Sequence, residues 1–241
     1  MRQSTIGRHI FGAAVLASGL VTLVWHTGPV YLYALAAAQI IGGICLQFRT
    51  AARAGAMMIA AAYLALALLC VPLIVAHPSV YAAWGNFFYP FANVIGAAAA
   101  YALLTSMRIS RSSLWIGCML FGLCNISFAI EQVEFLARTA SLVPRWIPPG
   151  QMFWAIATTA PFGLAGIALV IDRMTILATR LLAAMLWAFG LLVWVPLILS
   201  NPHTHSNWSE GTETVAIGAA AWLLAEFIAR PPSLPSDRRS A

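Results

Sequence analysis

The sequence predicts an all-α integral membrane protein, with eight transmembrane helices arranged as two parallel four-helix repeats. Three observations predict it. Hydrophobic residues make up 61% of the 241, and charged residues only 8%. A soluble domain carries about a quarter charged residues, so most of this surface must face lipid. The apolar residues fall into eight runs, each near the roughly 20 residues that a spanning helix takes. Finally, a block recurs. Val71-Pro72-Leu73-Ile74 is followed by Pro78 and Trp84, and Val195-Pro196-Leu197-Ile198 by Pro202 and Trp208, always 124 residues apart (195−71, 202−78, 208−84). A repeated unit of that length, built of apolar runs, is a bundle of spanning helices.

The spans are expected near 9–26, 30–48, 54–76, 86–106, 112–131, 150–171, 176–199 and 211–229. The first follows Arg8 and runs to Trp25. It leads into Gly28-Pro29 rather than a small-residue cleavage site, which reads as a span and not a cleaved signal. A tight His26-Thr27-Gly28-Pro29 turn opens the second, where Gln39 is the one polar residue at mid-depth and Gly42-Gly43 allow close helix packing. Ala51-Ala52 precede the third span, which carries the first Val-Pro block. The fourth holds Asn93 and the run Ala97 to Ala100, and the fifth Cys118, Cys124 and Asn125. Cys45 and Cys70 also fall inside spans. With no CxxC pair, all four cysteines read as small fillers of helix interfaces.

Between the fifth and sixth spans lies a long segment, 131–150, with Glu131, Glu134, Phe135, Leu136, Arg138, Arg145, Trp146 and three prolines. It reads as a segment lying along the membrane interface, or as a lid over an outer pocket. The sixth span carries Thr158-Thr159 and then Pro161, which predicts a kink. The seventh holds Trp194 and the second Val-Pro block. For the eighth, Asn207 and Glu210 fit a capping box, with Glu210 and Glu213 in the first turn, and Glu226 with Arg230 fits an i,i+4 pair. The tail Pro231 to Asp237 is too proline-rich to fold. The units are therefore 1–108, 109–230 and a disordered cytoplasmic tail, 231–241.

Further matches agree with the repeat. Tyr33-Ala34-Leu35-Ala36 aligns with Trp154-Ala155-Ile156-Ala157 at offset 121, and Gly12 with Gly117 at offset 105, which places an insertion in the second copy. Arginine supplies the orientation. Arg2, Arg8, Arg49, Arg53, Arg108, Arg111, Arg173, Arg180, Arg230, Arg238 and Arg239 fall on one side, and Arg138 and Arg145 on the other. Eleven against two puts both termini in the cytoplasm. The net charge of +6 is spread in ones and twos between apolar runs, so it does not describe a nucleic-acid surface.

No ionisable residue is expected near the bilayer centre, which counts against ion-coupled transport and a central haem. Polar chemistry gathers on the outer side instead: His26, His77, His203, His205, Glu131, Glu134, Glu210 and Glu213. His203, His205, Glu210 and Glu213 are the catalytic candidates, because His and Glu can exchange protons with a redox-active headgroup. Trp194, Trp208 and Glu131 are candidates for a cofactor wall. No metal centre is predicted, since His-x-His supplies only two ligands. Helix capping accounts for the same residues without any activity.

Leu142-Val143-Pro144-Arg145-Trp146-Ile147-Pro148-Pro149-Gly150-Gln151-Met152-Phe153-Trp154 resembles the DoxX-like bacterial membrane proteins. So do Gly7-Arg8-His9-Ile10-Phe11-Gly12 and Arg180-Leu181-Leu182 leading to Val195-Pro196. The resemblance covers most of each half. It implies four-helix membrane units and, from some members, the membrane subunit of a thiosulfate:quinone oxidoreductase or a component of oxidative-stress defence. Quinone is then the implied cofactor, and a soluble redox protein or another membrane subunit the implied partner. The family offers no catalytic motif to lay onto particular positions. Two other readings stand beside it: a non-catalytic bundle that scaffolds a partner, and a transporter suggested by repeat symmetry and Pro161.

Overall fold

The computed structural model describes residues 6–25, 28–105, 107 and 109–230. His26, Arg2, Arg108, Arg238, Arg239 and the 231–241 tail, on which some sequence expectations rest, lie outside the described residues. Among the described residues the chain is all helix: α1 (Ile6–Trp25), α2 (Val30–Gln47), α3 (Ala52–Ala76), α4 (Tyr81–Thr105), α5 (Arg111–Glu134), a short α6 (Leu136–Leu142), α7 (Gln151–Val170), α8 (Thr175–Phe189), α9 (Val195–Ser200) and α10 (His205–Ile228). A five-residue π-turn, Gly190–Trp194, joins α8 to α9. Counting Thr175–Ser200 as one span, eight helices are long and apolar enough to cross a membrane.

The spans alternate in direction, so the bundle has two ends. One end, here the arginine end, gathers Arg49, Arg53, Arg111, Arg173 and Arg230. The other carries α6, His77 and His203 and is called the cavity end. Helix α10 is the hub: it packs against α1, α4 and α8, and Ala216 through Ala221 are all buried. Small residues set these distances. A Cβ on Gly43 would lie 2.5 Å from the Gly12 carbonyl, and a Cβ on Gly122 2.7 Å from the Gly166 carbonyl, so α1 meets α2, and α5 meets α7, backbone to backbone. Gly117, the offset partner of Gly12, has open space around it. The α5 glycine that makes the close approach is Gly122, five residues on.

The loops at the cavity end share one closing device. Trp84 Nε1 donates to the Pro78 carbonyl (3.0 Å), Trp154 Nε1 to Pro148 (2.9 Å) and Trp208 Nε1 to Pro202 (2.8 Å). Each tryptophan is the fourth residue of its helix. Its ring reaches back over the first turn, where Gly150 and Thr204 supply no side-chain cap.

Prolines lie inside α3, α4 and α7, and in α4 the carbonyl that the ring leaves free finds another donor. Pro90 cannot donate to the Asn86 carbonyl, and Cys70 Sγ does so at 3.4 Å. Cys70 thus bonds backbone as well as filling space. All four cysteines are free. Helix α7 is continuous from Gln151 to Val170 through Pro161.

Four sequence expectations are corrected. Helix α10 starts at His205 rather than near 211, and α4 at Tyr81 rather than near 86. In α10 the first residues are polar and carry the helix because they find partners inside the bundle, whereas α4 opens on Tyr81, whose hydroxyl donates to the Ser127 carbonyl of α5. Asn207 is consequently no cap. It sits within α10 and donates Nδ2 to the Leu197 carbonyl at 3.1 Å, while Glu210 pairs with Arg138, so no capping box forms and neither Glu210 nor Glu213 is in the first turn. Glu226 and Arg230 do not pair either. Glu226 accepts from Trp222 Nε1 at 2.8 Å, and Arg230 donates to the carbonyls of Ala102 and Leu103, satisfying the C-terminal backbone of α4.

Candidate functional site

The early start of α10 decides where its acids go. Glu213 lies eight residues past His205, about 12 Å along the helix at 1.5 Å per residue. It therefore stands inside the bundle rather than at its rim. There it faces a cavity of about 760 Å³ enclosed by α4, α5, α6, α7, α8 with its π-turn, and α10.

The cavity is layered. At the open end stand Glu131 and Gln132 from the last turns of α5, Arg138 from α6, and Ser209 and Glu210 from α10. One turn deeper come Tyr89, Phe128 and Glu213. The floor is Phe162, Leu186 and Ile217. Tyr89 and Phe128 stack at 4.9 Å between centroids, and Phe162 meets Phe128 edge-on at 6.0 Å. The result is a polar mouth over an aromatic and aliphatic base.

Local bonds hold the polar layer. Arg138 Nη2 lies 2.9 Å from Glu210 Oε1, tying α6 to α10 across 72 residues of chain. This pair is partly exposed, and for such a pair about 0–1 kcal/mol is typical, so it positions α6 more than it stabilises the fold. Thr159 Oγ1 donates to Gln132 Oε1 at 2.8 Å. Glu131 turns Oε2 into the protein, where it has no hydrogen-bond partner. A Cβ on Gly85 would lie 3.5 Å from that atom, an ordinary contact, so the carboxylate rests against this face of α4. Tyr81 donates to the Ser127 carbonyl and fixes α4 to α5 beside it.

The π-turn shapes the opposite wall. A π-turn inserts one residue into a helix and often marks a functional site. Here Val195 N–H reaches back five residues to the Gly190 carbonyl. Pro196 follows directly, where a missing N–H matters least. Trp194 is swung inward, 7% exposed, and donates Nε1 to Thr214 Oγ1 at 3.0 Å. Gly211 lies against it: a Cβ there would sit 3.2 Å from Trp194 Cβ.

The segment 131–150 closes the site from above. Phe135, Thr139, Leu142, Val143, Pro144 and Ile147 line the cavity, and Gln151 Nε2 holds the Val143 carbonyl at 2.6 Å. Trp146 points away, 73% exposed. The segment is a roof on its inner side, and its outer side presents the tryptophan expected of an interfacial anchor.

Of the residues singled out in the sequence, Glu131, Glu210, Glu213 and Trp194 come together around this cavity. His203, His205 and Trp208 do not line it. His205 and Trp208 cluster instead on Trp25 of α1, with ring centroids 5.9 and 6.5 Å from it. His205 and Glu210 are five residues apart on one helix, about 140° around its axis, so they face different neighbours. His203 lies exposed in the loop before α10. Among the described residues, no group of three or more His, Cys, Asp or Glu side chains converges as metal ligands would.

Sequence reasoning passed over Tyr89, Phe128 and Phe162, whose spacing on α4, α5 and α7 is that of any packed aromatic. It noted Arg138 as a topological charge and as part of the 131–150 segment, but not among the site candidates. Comparison of the chain with protein-family models, with curated proteins and with solved structures finds no match.

Proposed function

We propose that this is a multi-pass protein of the bacterial cytoplasmic membrane, built of two four-helix units with both termini cytoplasmic, that binds a membrane-soluble amphipathic molecule in the cavity. The observation that carries the reading is the layering. A head lodges among Glu131, Gln132, Arg138 and Glu210, and an apolar body rests on Phe128, Phe162, Leu186 and Ile217. Ligand sites are concave and mostly apolar with a few convergent polar groups, and about 300–1,000 Å³ is the usual size. The arginine distribution supports the orientation, which puts the cavity on the outer side.

A second reading, quinone-linked redox work, is favoured by the flat Tyr89–Phe128 stack and by donors at the mouth, Arg138 and Gln132, that suit carbonyl oxygens. The DoxX-like resemblance implies the same ligand. In that reading Glu131, Glu210 and Glu213 are the proton-exchanging groups, and the exposed His203 and His205 are not.

The test is mass spectrometry of the organic extract from detergent-purified protein, wild type against Ala188→Trp. Ala188 lines the cavity and is exposed, so a large ring fills the space without a clash in the core. The expected result is an amphipath at near one per chain in the wild type that the variant has lost. Equal retention in both, scaling with bulk lipid, overturns the binding role. Recovery of an isoprenoid quinone selects the second reading.

A further inference from the structure

From its charge balance we infer that the cavity takes a cationic amphipath, an alkyl chain or ring system ending in an ammonium group. The inference rests on the cavity being a ligand site, as proposed above. Three carboxylates line it, Glu131, Glu210 and Glu213, against one arginine. Arg138 is engaged by Glu210 at 2.9 Å, and no Arg or His forms an ion pair with Glu131 or Glu213 among the described residues. Glu131 Oε2 is shut away from solvent with no donor. The Tyr89 and Ser209 hydroxyls donate to the Glu131 and Glu213 carboxylates without neutralising them. A carboxylate buried with no counter-charge is costly, and an incoming cation lowers that cost.

The three acids do not converge as metal ligands would. Glu131 and Glu210 stand at the mouth and Glu213 one turn deeper, around a space far larger than an ion, which suits a bulky, weakly hydrated ammonium. Aromatic faces attract such a cation through the ring quadrupole, and Tyr89, Phe128 and Trp194 line the same depth as Glu213. The apolar floor below them then receives the ligand's hydrocarbon.

The experiment uses the full chain in phosphatidylglycerol nanodiscs, with empty discs as the blank. The probes are a dansyl-tagged alkyl chain ending in trimethylammonium and the same chain ending in a hydroxyl. Losing one partner of a buried charge pair costs enough that the cation should bind the wild type about tenfold or more tighter than the alcohol. In the Glu131→Gln, Glu213→Gln variant that preference should vanish while the alcohol still binds, which also shows that the fold survives. Arg138→Gln, which leaves a third carboxylate unmatched, should tighten the cation and not the alcohol.

If the two unpaired carboxyls are neutral in the cavity, the alcohol binds the wild type as tightly as the cation, and the inference falls while the cavity remains a ligand site. If neither probe binds above the blank, the ligand-site reading falls and this one with it. Adding phosphatidylethanolamine to the discs separates the sources. Displacement of the cation assigns the site to a lipid ammonium headgroup, and no displacement assigns it to a free lipophilic amine.

Discussion

In α3, Val71-Pro72-Leu73-Ile74 lies within one uninterrupted helix, whereas the same four residues at 195–198 open α9 only after the π-turn Gly190–Trp194. The difference comes from what surrounds the block. At the same offset of 124, Cys70 stands where Trp194 does and Leu66 where Gly190 does. Cys70 is small enough to stay in register and bonds the carbonyls of Leu66 and Asn86, each at 3.4 Å. Trp194 is too large for that place. It fits by turning toward α10, where Gly211 leaves space and Thr214 accepts its N–H. On the facing helices, Asn86 and Tyr89 correspond by the same offset to Glu210 and Glu213 (210−86, 213−89), and all four line the one cavity. A shared local sequence thus yields a packed helix in one half and a cavity wall in the other.

The sharpest way to break this contrast is to remove the large side chain. Trp194→Ala should destabilise the protein by about 2–3 kcal/mol. This is below the aqueous range of about 3–5 because lipid chains are as apolar as the interior the ring leaves. Cys70→Ala should cost about 0.5–1.5 kcal/mol, the net worth of weak hydrogen bonds. Thermal unfolding in detergent, followed by tryptophan emission, measures both. Equal losses would show that the π-turn does not depend on Trp194.

The glycines give a comparison within one helix. Gly122→Leu on α5 forces a side chain onto the Gly166 backbone and should cost about 1–3 kcal/mol or more. Gly117→Leu, with open space around it, should stay within about 0.5 kcal/mol. The same unfolding measurement decides, and a large loss at Gly117 would mean that its face is covered by a partner.

How much of this was legible beforehand follows from the same residues. The eight spans were readable because each must satisfy its backbone internally and so shows as a long apolar run. Their starts were not. His205 to Glu210 is polar, and the sequence alone does not reveal that Leu197, Pro202 and Arg138 supply partners that carry the helix through. That six-residue displacement is what moves Glu213 from the rim into the cavity. It also separates Glu210 from His203 and His205, which had been grouped with it because they were neighbours in sequence. Glu131 and Trp194 could be named as wall residues because a carboxylate and an indole are rare beside apolar runs. Phe128 and Phe162 could not, since aromatic residues inside spans are ordinary.

The smallest expected effects test the three tryptophan closures against one another. Trp84→Phe, Trp154→Phe and Trp208→Phe each keep the ring and lose one indole N–H bonded to a proline carbonyl. Each should lower stability by about 0.5–1.5 kcal/mol, with similar shifts in thermal unfolding. Ligand binding should not follow suit. Trp154 lines the cavity, while Trp84 and Trp208 do not, so only Trp154→Phe should weaken the dansyl probe. If all three variants weaken it equally, the loops act on the cavity together through the roof. If Trp208→Phe alone does, the cluster of Trp25, His205 and Trp208 is the site, and the cavity is only a gap beneath α6.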